Sequence, residues 1–214
     1  MSAICKSSSH VVSKVLRATT NMFDKLLSRR NNLKVIHLFR HPLAVMNSRQ
    51  NTDGYNVKDY VANADDLCKR MSTDYHASMN LAAKYPGRVK MIFYEDLKTD
   101  TDVKVQKLYL FLGMHYNASK VDALNDNKVM APSKDSMGIA DGRKKDNAHW
   151  WRLKMPFEQY TRFYLTCRGI LRVFNITYLT SEKQLRDTDV NDMYLPEHLL
   201  IWWKLVFKPN DNIF

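Results

Sequence analysis

The residues best suited to chemistry lie in the segment KVIHLFRHPLAVMNSR, residues 34–49. An apolar run over 35–39 predicts a β-strand, and Arg40 follows it directly. Pro42 suits the first turn of a helix, where its missing N–H costs nothing, and that helix would carry Ser48. A guanidinium can form a charge-assisted fork with a phosphate, and a serine hydroxyl can donate a second hydrogen bond. These residue types and their spacing predict an anion-binding site.

The elements around Arg40 would position such a site. Ligands of open α/β sheets bind beyond the carboxyl ends of the strands. The helix after Arg40 would point its positive dipole end and its free N–H groups at the same space. Ala44 lies one turn before Ser48 and would let a ligand lie close. In the alternative interpretation, Arg40 pairs with a nearby carboxylate and Ser48 is an ordinary helix serine.

The rest of the chain predicts an α/β fold with a parallel sheet, because strand and helix patterns alternate. A second strand is predicted over 88–94. Gly113 stands where a helix C-terminal cap belongs. Hydrophobic periodicity predicts helices over 10–30, from Pro42 to about Arg49, over 57–84, over 101–112 and around a break at Pro156. We expect one domain over residues 1–181 and a C-terminal tail over 182–214.

The composition of the chain limits the kinds of partner that it is expected to bind. The 214 residues carry a formal net charge of +11, which favours polyanionic partners, although a solvated basic surface would give the same count. Neither G-x-x-x-x-G-K nor G-x-G-x-x-G occurs. The sequence shows no signal-peptide core and no run of roughly 20 apolar residues. Three cysteines at wide spacing predict no zinc site, and their pairing stays open. Two glycosylation sequons begin at Asn117 and Asn175.

Several segments together resemble one family. LKVIHLFRHPLAVMNSR closely resembles the 3′-phosphate-binding segment of carbohydrate sulfotransferases, R-D-P-R-A-V-x-x-S-R after a strand. The segment ending in YEDL, the helix VQKLYLFLGM and the stretch DNAHWWRLKMPFEQYTRFYLTC are similar to later parts of the family, in the same order. AICKSSSHVVSKVLRAT is similar to a region shortly before the 3′-phosphate strand. The resemblance spans roughly residues 4–180.

This resemblance implies a function. Carbohydrate sulfotransferases move a sulfuryl group from 3′-phosphoadenylyl sulfate (PAPS) to a sugar hydroxyl in the Golgi, without a metal. The family's phosphate-binding roles fall on Arg40 and Ser48. Arg143 and Lys144 lie in the loop before Trp151, where the family closes over the nucleotide, so they would either contact phosphate or belong to a solvated basic loop. The implied fold is the P-loop-like sulfotransferase fold, with helices flanking a central parallel sheet. The implied partners are PAPS and a glycan or glycoprotein acceptor, with no nucleic acid, and with the membrane only through an anchor absent from this sequence.

The sequence also departs from the family. No equivalent of the R-x-G-S-S-type loop that cradles the 5′-phosphosulfate is found, and the strand before that loop is missing too, so we expect an N-terminally truncated member. His41 replaces an aspartate suited to capping the helix, and a protonated His41 would add positive charge near the phosphate. Leu43 replaces an arginine. No residue can be assigned as the general base, so the catalytic residues stay unknown.

Other candidate residues have structural interpretations. Glu95 and Asp96 would face opposite sides of a strand, which favours a structural role over a catalytic carboxylate pair. Trp150 and Trp151 are better explained as core or loop anchors than as an adenine platform. His37 and His41 do not share a helix face and make a poor metal pair.

Two alternative functions remain. The chain could be a non-catalytic truncated relative that binds 3′,5′-ADP or a sulfated glycan. More remotely, it could be a basic nucleic-acid-binding module, although no recognition-helix or zinc signature is present.

Overall fold

The fold is α/β, with helices flanking a parallel sheet, as the sequence predicts. A computed structural model describes residues 7–16, 18–50, 60–99, 101–119 and 148–194. Within these ranges the sheet has two strands, β1 (Val35–Phe39) and β2 (Val89–Phe93). They run parallel, and Phe39 pairs with Phe93 at their carboxyl ends. This register places the residues that follow the two strands side by side.

The helices are named in chain order. They are α1 (Phe23–Arg29), α2 (Pro42–Gln50), α3 (Tyr60–Lys84), α4 (Tyr94–Thr99), α5 (Thr101–Leu112), α6 (Trp150–Lys154), α7 (Phe157–Val173) and α8 (Glu182–Arg186). Gly113 ends α5 with a positive φ of 73°, and the N–H groups of Gly113 and Met114 bond the carbonyls of Leu110 and Tyr109. This double capping pattern needs a left-handed residue, which explains the glycine. Within the described parts of the chain, no helix is long and apolar enough to span a membrane.

The predicted helix over 10–30 is wrong in its first half. Among the described residues of the range 10–30, regular structure begins with a 3₁₀ turn at Thr20–Met22, which leads into α1. Val11, Val12 and Val15 are each more than half exposed. Helical stability comes mainly from packing an apolar face, and valine adds little intrinsic helix propensity. Without such packing among the described residues, the apolar periodicity does not form a helix.

An aromatic cluster fills the core beneath the carboxyl ends of the strands. The Phe39 and Phe93 rings lie 5.6 Å apart, and Phe174, just after α7, meets them edge-on at 5.5 and 4.9 Å. Tyr75 of α3 closes the cluster at 5.5 Å from Phe174. Such edge-to-face pairs add to the stabilisation from burial alone. The cluster fixes the two strand ends, and with them the residues that follow.

A disulfide joins the two longest of the described helices. Cys68 of α3 and Cys167 of α7 are bonded, with their Cα atoms 5.6 Å apart. Both side chains are buried in the main hydrophobic core. Because 99 residues of sequence separate them, the bond closes a long loop of the unfolded chain.

Residues 182–194 pack against the rest of the molecule. Leu185 of α8 is fully buried, and Ile176 forms an antiparallel bridge with Met193. Arg152, itself fully buried, donates to the carbonyl oxygens of Leu185, Val190, Gln184 and Asp187 at 2.7–3.0 Å. One guanidinium therefore organises this whole segment. The domain boundary at residue 181 stays a prediction, and residues 195–214 of the predicted tail lie outside the described residues.

Candidate functional site

Arg40 and Tyr94 meet at the carboxyl ends of the strands. Each follows its strand directly, so the register of β1 and β2 places them next to each other. The Arg40 guanidinium carbon lies 4.9 Å from the centre of the Tyr94 ring. This cation–π geometry stabilises a cation against an aromatic face. The Tyr94 ring therefore gives Arg40 a defined position, although the sequence analysis did not assign Tyr94 to the site.

His41 caps α2 from inside the protein. The Leu43 N–H donates to His41 Nδ1 at 3.2 Å, which is the bond that an aspartate cap would accept. A ring nitrogen that accepts a hydrogen bond carries no proton, so Nδ1 serves as the capping acceptor in this arrangement. His41 is also almost fully buried. That a protonated His41 would add positive charge near the phosphate stays a prediction, and the ring has in addition the capping role seen here.

The α2 N-terminus differs from the predicted anion site in two further ways. The Leu43 N–H is already bonded to His41, so it is not free to meet a ligand. Ala44 is buried in the main core, where the predicted close approach of a ligand is not available. Leu43, which stands in place of a family arginine, is fully buried in the same core. The start of α2 is thus anchored to the interior.

Ser48 lies one turn further along α2 and is exposed. The rise between Ala44 and Ser48 is about 6 Å for an α-helix. Arg40 and Ser48 therefore belong to one strand–helix unit, with the arginine at the strand end and the hydroxyl on the solvent side of the helix. Arg143 and Lys144, the other two predicted donor-binding residues, lie outside the described residues.

Asp192 stands behind His41. His41 Nε2 and Asp192 Oδ2 are 3.5 Å apart, at the upper limit of a hydrogen bond. Arg152 Nη1 lies 3.8 Å from the other carboxylate oxygen. Burial works against ionisation of Asp192, but the His41 imidazole and the Arg152 guanidinium outweigh it, so the pKa of Asp192 lies below its ordinary value. The segment after α8 thereby supports the cap of the helix that carries Ser48.

Glu95 ties the two strand ends together. Strand β2 ends at Phe93, so Glu95 and Asp96 lie in α4. The prediction that they face opposite sides of a strand is therefore wrong. Glu95 Oε1 accepts the His41 N–H at 2.9 Å. Asp96 pairs with Lys104 of α5 at 2.7 Å. Both carboxylates make contacts that hold elements together.

The tryptophans and histidines have structural neighbours. Trp151 is buried, and its ring lies 4.8 Å from the His41 ring. Trp150 is partly exposed, with Lys154 Nζ 4.7 Å from its ring centre. His37 Nδ1 is 2.7 Å from Ser78 Oγ, and burial lowers the pKa of His37. In the ranges that the structure describes, no group of three His, Cys, Asp or Glu side chains could hold a metal.

A cavity of about 440 Å³ opens beside Glu95. It lies between α4, His149 and the segment over 188–194. Sequence reasoning missed it, together with Tyr94 and Asp192, because each depends on residues distant along the chain. The only sequence signal was the YEDL segment, whose tyrosine and glutamate both lie at the strand ends.

Comparison with known proteins identifies the family. The sequence model described as "Sulfotransferase family" matches residues 3–118, more than half of the chain. Carbohydrate sulfotransferase 1 of Rattus norvegicus is 23% identical over 204 residues, covering 87% of this chain and 50% of the relative. Its counterpart in Danio rerio is 27% identical over 207 residues, covering 87% and 49%. The chain thus spans about half the length of the curated relatives that it matches.

A solved structure shows a weaker likeness. Mouse sulfotransferase SULT7A1 complexed with PAP aligns with a TM-score of 0.45 and 14% identity, covering 84% of this chain and 66% of that one. From the family match, together with a strand–helix unit that carries Arg40 and Ser48, we conclude that this chain belongs to the sulfotransferase family and is similar to its carbohydrate sulfotransferases.

Proposed function

We propose that this chain binds the 3′-phosphate of PAPS in a sulfotransferase that acts on a carbohydrate. The observation that carries the proposal is the position of Arg40, at the carboxyl end of β1 and against the Tyr94 ring. A cation held at a strand end, beside a helix with an exposed hydroxyl, suits a phosphate.

Each residue would have a distinct part. The Arg40 guanidinium would donate two parallel hydrogen bonds to phosphate oxygens, and the Tyr94 ring would limit its orientations before binding. The exposed Ser48 hydroxyl would donate a further bond. His41 fixes the start of α2 through the Leu43 N–H. Arg143 and Lys144 are proposed to contact the same nucleotide.

The chemistry of the donor sets the reaction. In-line attack by a sugar hydroxyl on the sulfur would form a sulfate ester and release 3′,5′-ADP, and the hydroxyl proton would go to a base. No described residue is assigned as that base, nor as a contact to the 5′-phosphosulfate. Since the chain spans about half of its relatives, the activity of the whole protein is part of the proposal.

An oxidising compartment fits the structure. The Cys68–Cys167 disulfide is of the kind that persists in secretory compartments rather than in the cytosol. The sequon asparagines Asn117 and Asn175 are both exposed. These features support the proposal of a Golgi lumenal location.

Calorimetric titration with 3′,5′-ADP tests the proposal. We expect the purified chain to bind it, and Ser48→Ala to weaken binding about 2- to 10-fold, as for the loss of one hydrogen bond. Ser28→Ala, at an exposed serine of α1, is the matched control and should bind like the wild type. A titration without binding would contradict the proposal. Transfer of labelled sulfate from PAPS to a glycan would then separate an enzyme from a non-catalytic relative.

A further inference from the structure

The cavity beside Glu95 has a chemical character opposite to that of Arg40. Its lining includes the carboxylates of Glu95, Asp96 and Asp189, but no lysine or arginine among the described residues. Lys104 neutralises Asp96 from outside the lining, at 2.7 Å. Counted over its described lining, the cavity has an excess of negative charge, in a chain whose formal net charge is +11.

Glu95 provides an independent sign of a ligand. Only 9% of its surface is exposed. Its Oε1 accepts the His41 N–H, whereas its Oε2 has no hydrogen-bond partner in the described part of the chain. A buried carboxylate oxygen without a donor carries a desolvation cost. A ligand with a hydrogen-bond donor, bound in the cavity that Glu95 lines, would offset that cost.

The other lining groups indicate which ligand fits. Thr188 brings a hydroxyl that can donate and accept. The Thr99 hydroxyl donates to the Glu95 carbonyl and can still accept, and Tyr194, about half exposed, brings an aromatic face. Carboxylates accept hydrogen bonds from ligand hydroxyls and repel anions. A volume of about 440 Å³ lies within the usual range for small-ligand sites. Among the described residues, no group of three His, Cys, Asp or Glu side chains is placed to hold a metal ion.

We propose that this cavity binds an uncharged portion of a saccharide, as the acceptor subsite next to the donor site. The role as acceptor site rests on the proposed function, whereas the binding of a neutral sugar does not. Glu95 links the two sites, because its Oε1 holds the backbone next to Arg40 while its side chain lines the cavity. The opposite charges of the two sites would then separate the two substrates. The anionic donor would bind at Arg40, and the neutral sugar would bind in the acidic cavity.

Two sugars that differ in one group test the charge preference. Galactose is neutral, and galacturonate carries a carboxylate in place of its terminal CH₂OH. In saturation-transfer NMR with the purified chain, we expect galactose to bind and galacturonate to bind at least 5-fold more weakly. Asp189→Asn, at an exposed position, should strengthen galacturonate binding at least 2-fold. Equal binding of both sugars, or no binding of galactose, would overturn the proposal.

A blocking variant tests the location. Thr188→Trp places a large ring at an exposed position of the cavity wall and should reduce the galactose signal at least 5-fold. Thr73→Trp, at an exposed threonine of α3, is the matched control and should leave the signal unchanged. A full galactose signal in Thr188→Trp would contradict the assignment. Titration of each variant with 3′,5′-ADP reports on the donor site separately, so either proposal can fail while the other stands.

Discussion

His41 performs by different chemistry the capping task that the resemblance assigns to an aspartate. Its Nδ1 accepts the Leu43 N–H, and its Nε2 points to the buried Asp192. An aspartate cap would place its negative charge directly at the start of α2. Here the negative charge belongs to Asp192, which lies next to His41. The replacement therefore keeps the cap of α2, but makes it depend on a residue about 150 positions later in the chain.

Asp192 gives this arrangement a pH dependence. The pKa of Asp192 is below its ordinary value, so its carboxylate stabilises the folded state fully at pH values above about 4. That stabilisation is lost as the pH falls through the lowered pKa. We predict that Asp192→Asn lowers the free energy of unfolding by about 1.5–3 kcal/mol at pH 7, as expected for a charge-assisted contact.

Urea unfolding between pH 3 and 7 measures this effect. The difference between wild type and Asp192→Asn should shrink as the pH falls below the ordinary pKa of an aspartate, because the unfolded chain then binds a proton at this position that the folded carboxylate does not. Asp189→Asn, at an exposed neighbouring aspartate, is the matched control for the loss of one carboxylate. A constant difference between wild type and Asp192→Asn across this range would show that the charge of Asp192 is not responsible.

At the scale of elements, local patterns predicted most of the fold. Strands β1 and β2, helix α3 and helix α5 follow from periodicity and turn residues, which act within one segment. The local sequence patterns gave wrong predictions where tertiary packing determines the secondary structure. Residues 10–16 have a helical apolar pattern but are exposed. Residues 94–99 form a helix where the sequence predicted the end of a strand.

The pairing of Cys68 with Cys167 also could not be predicted from local sequence patterns. It requires α3 and α7 to lie side by side, which no local pattern indicates. We predict that Cys68→Ala or Cys167→Ala lowers the free energy of unfolding by roughly 2–5 kcal/mol, because the unfolded chain loses its cross-link. Urea unfolding without a reductant measures this loss.

The third cysteine provides the control. Cys5→Ala should unfold like the wild type, since the bond joins the other two cysteines. Adding dithiothreitol to the wild type should reproduce the loss seen in the two variants. Equal stability of Cys68→Ala and wild type under oxidising conditions would contradict a cross-linked native state.

At the scale of the molecule, the family could be predicted but the site only in part. Arg40 and Ser48 were found because strand, proline and hydroxyl lie within one short segment. Tyr94, Glu95 and Asp192 were not assigned to the site, because the register of two strands and the packing of residues 182–194 bring them there. Their binding roles stay proposals.

The most direct test of the account is whether Arg40 recognises a 3′-phosphate. We would titrate wild type and Arg40→Ala with 3′,5′-ADP and with 5′-AMP, which lacks only that phosphate. Arg162→Ala, at an exposed arginine of α7, is the control for the loss of one positive charge. We predict that Arg40→Ala weakens 3′,5′-ADP binding about 10- to 100-fold and changes 5′-AMP binding less than 2-fold. Unchanged affinity for 3′,5′-ADP, or an equal loss for both nucleotides, would contradict the account.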